Sequence, residues 1–114
     1  MKTNILHIIF IITCFSVISC KAQCDNDFAV KQFENDIRII KNSIKNPNEN
    51  KKDLPILIER IEKISSIQSV SEGNYFGKFN PTENDVKKWE EWLKKNKDNI
   101  CWNTVNNEFY IKNK

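Results

Sequence analysis

The apolar positions of this chain fall first into one continuous run and then into periodic stripes. Residues 5 to 18 are apolar except for His7, Thr13 and Ser16, and the pattern turns polar at Lys21. From residue 25 it becomes periodic: Val30, Phe33, Ile37, Ile40 and Ile44 step by three and four, which predicts one face of a helix over 25–46. Asp25, Asn26 and Asp27 supply capping side chains, and Asn46-Pro47-Asn48 ends the helix because the residue before proline is steered out of the helical region. Asn48 to Lys52 reads as a polar linker. Leu54, Leu57, Ile61 and Ile64, widened by Ile58, predict a second helix capped by Asp53, with Pro55 in its first turn and Glu59 and Lys63 paired on its outer side. Two such stripes joined by a brief connection predict an antiparallel helical hairpin.

Gln68 to Pro81 has no period. It holds both glycines of the chain, Gly73 and Gly77, and the rings of Tyr75, Phe76 and Phe79. Thr82 and Asp85 then stand at capping-box spacing ahead of a third stripe made by Val86, Trp89, Trp92 and Leu93. Ile100 to Val105 and Glu108 to Lys112 flank Asn106-Asn107, which predicts a β-hairpin with a two-residue turn. That register sets Trp102 opposite Ile111 and Thr104 opposite Phe109, with Cys101 on the other face. The expected fold is mainly α: a small three-helix domain over residues 25–114, built as a helical hairpin plus a capping helix, with a short C-terminal β-hairpin.

The first apolar run has the length of a signal-peptide core and follows Lys2; a membrane-spanning helix needs about 20 predominantly apolar residues and fits less well. Its end, Val17-Ile18-Ser19-Cys20, resembles the lipobox of bacterial lipoproteins, matching an aliphatic, a small or aliphatic and a small residue before cysteine. The resemblance implies removal of residues 1–19, acylation of Cys20 by diacylglycerol and a further chain such as palmitate, and a linker over 20–24. It places the protein in the cell envelope, lipid-anchored to a bacterial membrane and either periplasmic or surface-exposed. The competing reading is an ordinary secretory signal cut near Ala22 or Gln23.

Removal of residues 1–19 leaves 95 of 114 residues, enough for one small domain. Losing Lys2 brings the 18 basic residues to 17 against 15 acidic ones, a net charge of +2, and the only histidine, His7, goes as well. Arg38 and Arg60 are the only arginines, and the lysines alternate with acids along the chain, so no nucleic-acid partner is expected. With Cys20 acylated and Cys14 discarded, Cys24 and Cys101 remain to form a disulfide, as leftover cysteines of an exported protein do; a redox pair would want CxxC spacing.

Residues 81–102, from Pro81-Thr82 through Trp89, Trp92 and Asn96-Lys97 to Trp102, resemble the tryptophan-bearing final helix of some HEAT-type helical-repeat proteins. That resemblance implies a helical interaction domain and transfers no catalytic residue. The mature chain lacks histidine, GxSxG and a phosphate-binding glycine loop, so no enzyme, cofactor or metal site is expected. The expected function is a non-catalytic binding module, of inhibitor or immunity type, for an envelope or exported protein. The alternative is a carbohydrate or peptidoglycan binder using Tyr75, Phe76, Phe79, Trp89 and Trp92; the bland reading puts these rings in the core.

Overall fold

The computed structural model describes residues 24–49, 51–71, 73–74 and 77–112. The expected signal segment, Cys20, Tyr75 and Phe76 lie outside the described residues. Helix α1 (Asn26–Lys45) starts where Asp25 accepts a hydrogen bond from the Phe28 amide at 3.1 Å, and stops where the Asn46 amide returns to the Asn42 carbonyl at 2.9 Å. Val30, Phe33, Ile37 and Ile40 are buried as their spacing predicts, and Ile44 is half-buried.

Helix α2 (Leu54–Ser65) buries Leu54, Leu57, Ile58 and Ile61, and Pro55 sits in its first turn. Asp53 does not cap it. An N-cap residue normally has extended backbone, whereas Asp53 is already in the helical region, entered through a turn in which the Leu54 amide bonds to the Lys51 carbonyl at 3.2 Å. Lys63 also departs from expectation: it reaches across to Glu108 at 2.7 Å instead of pairing with Glu59. The helix ends at Ser66, whose left-handed backbone turns its amide back to the Glu62 carbonyl.

The segment after α2 contains a two-residue antiparallel pair, β1 (Gly73–Asn74) with β2 (Gly77–Lys78), where no regular structure was expected. Gly77 has φ +114°, and a Cβ there would stand 3.0 Å from Pro55, so glycine is required both by its backbone and by its approach to α2. Helix α3 (Glu83–Asn96) opens with the expected capping box: Thr82 accepts from the Asp85 amide at 3.1 Å, and Asp85 accepts from the Thr82 amide at 2.9 Å.

The chain ends in a hairpin of β3 (Ile100–Asn103) and β4 (Glu108–Ile111). Its register pairs Ile100 with Ile111 and Trp102 with Phe109, two residues away from the predicted one. The cause is Asn103, whose side chain accepts from the Val105 and Asn106 amides at 3.0 and 3.4 Å and closes a four-residue loop. A shift of two keeps every side chain on its predicted face. Ile100, Trp102 and Phe109 therefore still share one face, and Cys101 occupies the other.

That other face is where the disulfide forms. Cys24 and Cys101 are joined across 77 residues with their Cα atoms 5.2 Å apart, because the entry to α1 crosses behind the hairpin. Asn26 holds the crossing in place by donating to the carbonyls of Lys97 and Ile100 at 2.8 and 2.9 Å. The core gathers around α1: Phe33 lies 5.7 Å from Trp92 of α3 and 5.4 Å from Phe109 of β4, centroid to centroid. Among the described residues the architecture is the expected mainly α one, three helices with a C-terminal hairpin.

Candidate binding surface

Of the five rings expected at a contact surface, Phe79, Trp89 and Trp92 are among the described residues. Trp89 is fully buried and donates its indole N–H to the Ile67 carbonyl at 3.0 Å, so it belongs to the core and is removed from any contact surface. Trp92, three residues on, is half-buried with one face stacked on Phe33, and Phe79 is also half-buried. Side chains that could hold a metal ion do not cluster in threes among the described residues, and no described helix is long and apolar enough to cross a membrane.

Two buried polar arrangements hold the elements in place, and neither was visible in the sequence. Asp36, fully buried on α1, receives Arg60 of α2 through both carboxylate oxygens, Nε at 2.6 Å and a terminal nitrogen at 2.5 Å, while Gln32 donates to it at 2.9 Å. The same guanidinium lies 5.2 Å from the Trp102 ring centre and 5.9 Å from that of Phe109. The second arrangement pins the segment after α2. Glu62 accepts from the Ser69 amide at 2.6 Å and from Lys78 at 2.7 Å, and Asp85 accepts from the Ser69 hydroxyl at 2.7 Å and the Val70 amide at 3.2 Å. Burial works to raise the Asp85 pKa, but the hydrogen bonds from Ser69, Thr82 and Val70 outweigh it and hold the carboxyl below the ordinary value of 3.8.

On a different side of α1, a groove runs between α1 and α3. Its floor is Ile37, Ile44, Val86 and Leu93, and it consists of two hollows of about 450 and 260 Å³. A bridge of 2.6 Å between Lys41 and Glu90 lies where the hollows meet. Around the floor stand Arg38, Lys41, Lys45, Lys87, Lys94 and Lys97 against Glu34, Glu83 and Glu90, six basic groups to three acidic. Lysines that alternate with acids along each helix thus converge when the two helices pack side by side. The signal in sequence was their phase relative to the two apolar stripes, not their spacing along the chain.

A second concavity, of about 440 Å³, lies at the hairpin end, lined by Asp25, Phe28, Trp102, Val105 and Tyr110 among others. Phe28, Val105 and Tyr110 are 44, 89 and 39% exposed, and Phe28 lies 6.0 Å from Trp102. Compared with known proteins, the chain matches no family model, no curated protein and no solved structure.

Proposed function

We propose that the protein is a lipid-anchored component of the bacterial cell envelope that acts as a non-catalytic binding module, holding an acidic segment of an envelope or exported protein in the α1–α3 groove. The observation that carries the reading is the groove itself, an apolar floor between walls with twice as many basic as acidic groups. A partner helix or strand with a narrow apolar edge flanked by carboxylates complements that surface in shape and sign. The likeness of residues 81–102 to the last helix of HEAT-type proteins points in the same direction, towards interaction through a helix face. Anchoring rests on Val17-Ile18-Ser19-Cys20, with Cys20 as the acylated residue.

Two measurements test the two halves. Metabolic labelling with a fatty acid is expected to mark the wild type and not Cys20→Ser; equal label in both overturns the anchor. Capture of partners from the native envelope is expected to fall at least about tenfold for Lys41→Glu with Lys94→Glu, and to weaken with added salt as surface ionic contacts do. Undiminished capture by that double variant overturns the groove.

A further inference from the structure

The groove between the helices leaves the hairpin end unexplained, and that end carries Phe28 and Tyr110, the exposed aromatic side chains among the described residues. Phe28 of α1, Trp102 of β3, the loop residue Val105 and Tyr110 of β4 border one shallow concavity, with Phe28, Val105 and Tyr110 open to solvent. Trp102 is supported from within by Phe109, at 4.9 Å and edge-on, and by the Arg60 guanidinium, so the shelf has a firm backing. Amphipathic rings of this kind favour the interfacial layer of a bilayer, where the ring meets acyl chains and the polar edge meets headgroups.

The position of the shelf says what would cover it. Asp25 borders it, and the preceding residue, Cys24, is bonded to Cys101 in β3 itself. Cys20 is four residues earlier in the chain. Four residues span at most about 14 Å even when fully extended. An acyl group on Cys20 would therefore hold this end of the domain within reach of the membrane surface.

From this placement we infer that the shelf formed by Phe28, Trp102, Val105 and Tyr110 rests in the interfacial layer of the membrane that holds Cys20, a conclusion that rests on the anchor proposed above. Helix α1, 20 residues and about 30 Å long, then leads away from the bilayer from its first turn. The hollow lined by Ile44, Lys45 and Glu83 lies at the far end of that helix, open to a partner in the aqueous space.

The test uses the full chain, acylated in its host, purified and reconstituted in phosphatidylcholine vesicles with brominated acyl chains, which quench tryptophan on contact. Val105→Trp adds a reporter on the shelf and Asn48→Trp adds one at the exposed turn beyond the far end of α1. The expected result is that the added emission of Val105→Trp falls by about twofold or more in brominated relative to plain vesicles, while that of Asn48→Trp is unchanged. Absence of acyl label overturns both the anchor and the shelf contact. Labelled, vesicle-bound protein in which neither reporter is quenched overturns the shelf contact and leaves the anchor standing. Two further outcomes also overturn it: co-sedimentation with peptidoglycan that Val105→Asp abolishes would give the shelf to a glycan, and a dimer of the Cys20→Ser chain that Val105→Asp dissociates would give it to a second copy.

Discussion

Asp85 is a shorter reciprocal cap than glutamate, yet it closes its box because its second set of partners fixes it from the other side. Ser69 and Val70 donate to the carboxylate that also receives the Thr82 amide, so one buried group starts α3 and ties down the segment that follows α2. The folded state therefore favours the charged form despite burial. A carboxyl whose pKa is lowered on folding contributes stability that is complete above its unfolded value, here 3.8, and is lost as pH falls through the lower folded value. Asp85→Asn is expected to cost about 1 to 3 kcal/mol at neutral pH, since an amide cannot accept from all three donors equally well. Urea unfolding as a function of pH checks this. The wild type should lose stability on acidification below the ordinary carboxylate range, and the variant should show a flatter acid limb; parallel limbs would show that another carboxyl governs acid unfolding.

At the scale of the elements, α1 and α2 are joined by an apolar seam and by the Asp36–Arg60 pair buried within it. Removing one partner of such a pair strands a buried charge, so Arg60→Met or Asp36→Leu alone is expected to lower stability by about 3 to 5 kcal/mol. The double variant should lose well under the sum of the two single losses, because neither charge is then left alone. A thermal-denaturation double-mutant cycle checks it, and additive losses would mean that the two residues do not act as a unit. The helices themselves were legible because steps of three and four in apolar residues have one physical meaning. Asp36 was not, since a carboxylate beside Ile37 gives no hint of a partner 24 residues away. The hairpin was legible in its strands and faces but not in its loop. Asn103, Asn106 and Asn107 all suit turns, and it is the side chain of Asn103 that closes this one, while Asn107 takes the left-handed backbone. The pair β1–β2 left no trace in sequence because strands of two residues have no period to read. The groove escaped notice for a different reason: its cations are contributed by two helices, and only packing brings them together.

Among the described residues, the disulfide between Cys24 and Cys101 joins the start of the domain to its last hairpin, the pairing expected from the sequence if Cys14 is discarded and Cys20 acylated. A loop of 77 residues closed in the unfolded chain contributes about 4 to 5 kcal/mol on the chain-entropy argument. Reduction, or Cys24→Ala with Cys101→Ala, is expected to lower the unfolding free energy by that amount with the helical circular dichroism retained at low denaturant. Coincident unfolding curves with and without reductant would refute it.

The same bond also decides how the domain responds to a pull. Tension arriving along the chain ahead of Cys24 passes through sulfur into β3 and bypasses the first turn of α1. A pull applied from outside the loop cannot lengthen the span between the cysteines, so α1, α2 and α3 are shielded from it. Mechanically the domain is a closed ring on a leash: a partner tugging at the chain ends moves the whole body before it unravels any helix.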